Sequence, residues 1–262
     1  MVPADYVSIN NMIDKGYDHN SSGLIRDDLP RHISRTPKRP IEILKYPHGT
    51  ICSYESEKAL WPALWSGRRD VYDSSASPDE SVEIDLMIHM GMRGKATRAF
   101  SLEKQARRDV YTRPGDDGKY LPAGDADKGG IWEGVPKVLR SGFDVDAAKA
   151  RVAAVLPDVE LEVSENAGVY FCEHRFEASR PVLRASPGPL RVEHYANSVI
   201  GEFELFSSLA ECFKRNEFAR VEFLHTPQGN SPEAIARGVR VAEELICALL
   251  DQRLLPEKVQ GT

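Results

Sequence analysis

The chain has 262 residues, 41% of them hydrophobic, which suits one large α/β domain with a real core or two small ones and excludes a disordered chain. Its formal net charge of −6 argues against a nucleic-acid partner, because phosphate contacts need clustered Lys and Arg. Four cysteines (Cys52, Cys172, Cys212 and Cys247) form no CxxC and no regular spacing, which argues against a zinc site, any other metal or a disulfide framework.

The opening MVPADYVSINNMIDKGYDHN has no basic end followed by an apolar block, so no secretory signal is expected in it. No apolar run approaches membrane-spanning length, and no membrane partner is expected. A reducing, cytoplasmic setting fits these features best, and there a lone thiol can stay reactive. IEILKYP (41–47) reads as a strand ended by proline. SYESEKALWPALWSGR (53–68) reads as an amphipathic helix, with Ala59, Leu60, Ala63 and Leu64 at helical spacing and Pro62 as a possible kink. Its Trp61 and Trp65 read as packing residues. DSSASPDES (73–81) is a loop. EIDLMIHMGM (83–92) is nearly continuous in apolar residues and ends near glycine, the pattern of a buried parallel strand, with His89 read as structural. Residues 112–130 form a long Gly/Asp/Pro loop.

DVDAAKARVAAVLP (144–157) is a helix with an early Asp and a proline stop, and DVELEV (158–163) is the next strand. FELFSSLAECFKRN (203–216) reads as a helix that buries Cys212, and ARVEFLHTP (219–227) as a strand. SPEAIARGVRVAEELICALLDQ (231–252) is a helix with Ser231 as N-cap and Pro232 at its first position. Ile235, Val239, Ala242, Leu245, Ile246 and Leu249 form its buried stripe, and Cys247 lies on the same apolar side. Strands alternating with helices imply an α/β fold: a three-layer α/β/α sandwich on a doubly wound, mostly parallel sheet.

In such sheets chemistry gathers at the carboxyl ends of strands. Glu103, Cys172 and His225 each follow or end a predicted strand. A cysteine, a histidine and an acid are the parts of a cysteine peptidase: a thiolate nucleophile, an imidazole that moves the proton, and a carboxylate that orients the imidazole. Spacing alone leaves the plain alternatives open. Cys172 also reads as a small buried hydrophobe, His225 as a buried structural histidine and Glu103 as a surface acid.

Four stretches, in order, resemble type I pyroglutamyl peptidase, a cysteine exopeptidase that removes N-terminal pyroglutamate. SENAGVYFCE (164–173) resembles the family's nucleophile motif, and LHTP (224–227) its His-Val-Pro motif. HMGM to SLEK (89–104) resembles the strand, loop and glutamate segment, and the last helix matches in position. Beyond these four, NSSGLIRDDLP (20–30) is also similar to the family's Asn-Pro-Ser-Trp helix start. The resemblance covers most of 20–252 at modest identity. It implies a single domain over 1–262, with Cys172 as nucleophile, His225 as acid/base and Glu103 as orienting carboxylate. Tyr170 and Phe171 would help line an apolar pocket for the lactam ring. It implies peptide substrates that begin with pyroglutamate and no cofactor, and it leaves the oligomeric state open.

Two departures stand out. The family opens with a strand and a Gly-Phe-Gly-Pro-Phe loop whose aromatic rings contact the pyroglutamyl ring. Here VSINNMID (7–14) takes that place, so the first strand reads as poor or absent, neither Phe is present, and 1–19 is atypical. Cys172 and His225 also stand 53 positions apart, and 174–201 reads as an insertion, either a loop or a translated intervening sequence; its His174 and His194 are assigned no role. These departures leave a second reading: a family-fold protein of impaired catalysis that acts as a binding module, or a degenerate copy. A nucleotide-binding domain is a third, but GMRGKA (91–96) is too short a glycine signal and no GxGxxG occurs.

Overall fold

The computed structural model describes residues 4–13, 20–51, 53–93, 98–108, 111, 114–115, 117–122, 124, 130–165 and 197–253. Cys52, Tyr170, Phe171, Cys172, and residues 174–196 of the expected insertion lie outside them. Among the described residues the chain runs β1 (Asp5–Ile13), α1 (Ser21–Asp28), β2 (His32–Ile33), β3 (Ile41–Ile51), α2 (Tyr54–Trp65), β4 (Leu86–Met92), β5 (Phe100–Glu103), β6 (Gln105–Arg107) and β7 (Val138–Arg140). It continues through α3 (Val145–Val155), β8 (Leu161–Ser164), α4 (Asn197–Lys214), β9 (Val221–Thr226) and α5 (Pro232–Arg253).

Among the described residues seven strands form one sheet in the order β2-β3-β1-β4-β9-β5-β8, and β6 and β7 pair separately. The β3-β1-β4-β9 run is parallel. β5 is antiparallel to β9 and parallel to β8, so the last two strands run the other way. Alternation along each strand sends side chains to two cores. Val7, Ile9, Leu86, Ile88, Met90 and Leu224 meet α1, α3 and α5 on one face. Met87, Val221 and Phe223 meet α2 and α4 on the other. The result is the expected α/β fold, mostly parallel.

The expectation of a poor or absent first strand is overturned. β1 is central, paired with β3 through Ile13 and with β4 from Val7 to Asn11. Its polar Ser8 is tolerated because the hydroxyl meets Tyr72 Oη at 2.9 Å inside the core. β3 does not stop at Pro47 but runs to Ile51. The register shifts where Ile9 pairs Lys45 and Asn11 pairs Gly49, and the spare carbonyls of Tyr46 and His48 accept from Arg26 Nη1 at 3.0 and 2.9 Å. α4 begins at Asn197, so the end of the expected insertion (197–201) is helix. The caps match the sequence: Asp144 Oδ1 accepts from Ala147 N, and Ser231 Oγ from Ala234 N. Among the described residues no helix is long and apolar enough to cross a membrane.

Candidate active site

β1 has β3 on one side and β4 on the other, so the winding reverses between β1 and β4. Ligands in open α/β sheets bind beyond the carboxyl ends of the strands at such a reversal. His225 sits near that end of β9, in register with Gly91 near the end of β4.

Glu103 is not in the loop after β4, where the sequence reading placed it, nor on the surface. It ends a strand of its own, β5, and is 2% exposed. Because β5 is antiparallel to β9, Ser101 stands opposite His225 and Glu103 lies on the diagonal. From there Glu103 Oε1 reaches His225 Nε2 at 3.2 Å, and Ser101 Oγ donates to the same oxygen at 3.4 Å. Two sequence-predicted residues 122 positions apart thus meet in one buried pair. Ser101 escaped the sequence reading; its signal is the i, i+2 spacing from Glu103 on one strand face.

Burial by itself would raise the Glu103 carboxyl. The hydrogen bond and charge of His225, the Ser164 hydroxyl and the Arg93 charge outweigh it and hold the carboxyl below its usual range. A carboxylate facing Nε2 places the imidazole proton there and leaves Nδ1 as the acceptor. His225 Nδ1 is buried and meets no hydrogen-bond partner among the described residues. It faces β4: a Cβ built on Gly91 would stand 3.7 Å from it and 3.0 Å from Phe223 Cζ. The Phe223 and His225 ring centroids are 4.6 Å apart. The arrangement can accept a proton on Nδ1 while Glu103 stabilises the imidazolium that results.

Two more carboxyls surround Glu103. Glu222 is fully buried, and its carboxyl is pushed up to about 8 by burial, with the Glu103 charge adding to the rise. Glu202 is raised by burial, with Arg107 opposing the rise and the Glu103 charge adding to it; its Oε1 accepts from Arg107 N at 2.9 Å and Nε at 3.1 Å. The segment after His225 is tied to the start of α1. Ser21 Oγ lies 2.8 Å from Thr226 Oγ1 and donates to Pro227 O at 2.8 Å. Asn20 caps α1 by accepting from Ser22 N and Gly23 N.

Of the cysteines, Cys212 and Cys247 are described, and both sit in the core or against it, as expected. Burial pushes the Cys212 thiol up to about 11 and raises that of Cys247. Neither holds a useful thiolate fraction at neutral pH.

No family model matches the chain. Among curated proteins it is similar to pyroglutamyl-peptidase 1 of Rattus norvegicus, Mus musculus and Homo sapiens, 28% identical to each over 126 residues, or 48% of this chain. The match covers 51% of each relative, so the chain spans about half the length of the curated relatives it matches. Among solved structures it is similar to a mutant pyrrolidone carboxyl peptidase from Pyrococcus furiosus, with TM-score 0.60 and 14% identity over 96% of this chain and 100% of that one. The pyroglutamyl peptidase I of Bacillus amyloliquefaciens also gives TM-score 0.60, at 13% identity over 95% of this chain and 96% of that one. At such identities the structural likeness speaks for the fold alone. The chain is thus similar to pyroglutamyl peptidases in sequence over about half its length and in fold over nearly all of it.

Proposed function

We propose that the chain is a cysteine exopeptidase that removes N-terminal pyroglutamate from peptides. The observation that carries this reading is the buried Glu103–His225 pair, with Nε2 on the carboxylate and an Nδ1 that faces Gly91 of β4 and has no hydrogen-bond partner among the described residues. Cys172 is the nucleophile in this reading. The raised thiols of Cys212 and Cys247 count against either as a substitute. The thiol gives its proton to His225 Nδ1, and the thiolate attacks the carbonyl carbon of the pyroglutamyl amide. The tetrahedral oxyanion collapses as the imidazolium protonates the leaving amine. Water, deprotonated by the same nitrogen, then cleaves the thioester and releases pyroglutamate and free thiol. Glu103 keeps the ring in place and favours its charged form. The resemblance implies Tyr170 and Phe171 for the apolar side of the lactam pocket. A reducing, cytoplasmic setting keeps such a thiol free.

One observation favours a second reading, a family-fold binding module of impaired catalysis. β1 remains a paired strand through Ile13, where the family resemblance calls for an aromatic loop, and Asn10, Asn11 and Met12 stand there. Release of a fluorescent amine from a pyroglutamyl amide separates the two. Release that disappears in Cys172→Ala is the result the peptidase reading requires. No release from folded, reduced protein, together with saturable binding of a pyroglutamyl peptide, is the result of the second.

A further inference from the structure

A second polar cluster lies on the α2–α4 side of the sheet, the side that also carries His225 and Glu103. His89 is fully buried with both ring nitrogens engaged: Nδ1 with Glu204 Oε1 at 3.0 Å, and Nε2 with Ser208 Oγ at 2.7 Å. Trp65 Nε1 donates to the same Ser208 oxygen at 3.3 Å. Glu57, also buried, accepts from Trp61 Nε1 at 3.2 Å. Burial, and then the Glu204 charge, raise the Glu57 carboxyl well above its usual range. The two tryptophans are therefore more than packing. A serine, a histidine and a glutamate in this geometry have the form of a hydrolytic triad. All three are 0% exposed, so no substrate reaches them and their work is positional.

Register shows what they position. His89 pairs with Phe223, and Gly91 with His225, across the parallel β4/β9 ladder. In a parallel pair, registered residues point to the same face, so all four share the α2–α4 side. The Phe223 ring lies between the two imidazoles, its centroid 6.3 Å from that of His89 and 4.6 Å from that of His225. It leans into the room that the missing side chain of Gly91 leaves. With both nitrogens held, the His89 ring is fixed in orientation beside Phe223.

We propose that His89, clamped by Glu204 and Ser208 of α4, is a positioning residue for His225: through Phe223 it keeps Nε2 on Glu103 and Nδ1 toward Gly91 of β4. The proposal rests on the peptidase reading only for what the positioned nitrogen does. The positioning itself is measured without substrate.

The test is nitrogen NMR of protein labelled at histidine, with the His225 signals assigned by their loss in His225→Gln. The wild-type protein is expected to show one tautomer, protonated at Nε2. His89→Leu is expected to give a mixture of tautomers, and His89→Gln, which keeps an amide for Ser208, to recover part of the single form. In the amide assay kcat should fall roughly 10- to 100-fold in His89→Leu, with KM within about twofold. An unchanged His225 tautomer in folded His89→Leu overturns the proposal, whatever kcat does. A wild-type protein without hydrolysis defeats the peptidase reading alone, and the NMR comparison still decides this one. If His89→Leu does not fold, Ser208→Ala removes a single hydroxyl and is expected to shift the tautomer in the same direction by less; no shift there overturns the proposal.

Discussion

At the residue scale the pair of His225 with Glu103 fixes the sign of the pH response. The Glu103 carboxyl is held below its usual 4.5, so the folded state binds fewer protons there than the unfolded chain. Its stabilising contribution is present above that value and is lost as pH falls through the lowered one. Glu103→Gln keeps the shape and loses the charge. We expect kcat to drop roughly 100-fold or more at neutral pH. In urea titrations the stability gap to wild type should narrow below about pH 4. Glu222 works in the opposite sense. Its folded value near 8 lies above the unfolded one, so the fold prefers it protonated, and stability declines as pH rises from about 4.5 to about 8. Glu222→Gln should flatten that decline and gain on the order of a few kcal/mol at pH 8. A mutant that loses stability across the whole range would contradict this.

At the element scale local chemistry was legible where it is local. The capping residues Asp144 and Ser231, the proline at the start of α5 and its apolar stripe each lie within one helix, and the structure has them in place. β1 was misread because VSINNMI carries Asn and Ser, which are poor strand residues. Ser8 is accepted only because Tyr72, 64 positions away, satisfies it, and no local pattern encodes that partner. β5 was missed because four residues, FSLE, are too short to show a period. Two substitutions test these elements. Asn20→Ala removes the cap of α1 and should cost about 1 kcal/mol by urea unfolding, with the segment after His225 loosened. Gly91→Ala puts a Cβ 3.0 Å from Phe223 Cζ, so the ring must move. We expect a loss of about 1–3 kcal/mol and a lower kcat, because Phe223 also bounds His225. Full activity in Gly91→Ala would show that the ring arrangement does not matter.

At the scale of the whole molecule the sheet order is what makes a site from scattered residues. Placing β9 between β4 and β5 gives His225 a carboxylate on one side and Gly91 on the other. The sequence motifs named His225 and Glu103, and the topology explains why they meet. The partners of His89 were not legible, since Glu204 and Ser208 lie 115 and 119 positions away on a helix with no motif of its own. Burial leaves Cys212 and Cys247 with raised thiols, and with Cys172 as the nucleophile the account predicts that Cys172 is the cysteine that reacts at neutral pH. The most direct measurement is peptide mapping after brief treatment with a pyroglutamyl-derived electrophile at neutral pH. The account predicts a label on Cys172, suppressed in His225→Asn. A label on Cys52, Cys212 or Cys247 in place of Cys172, or one on Cys172 that ignores the loss of His225, would contradict it.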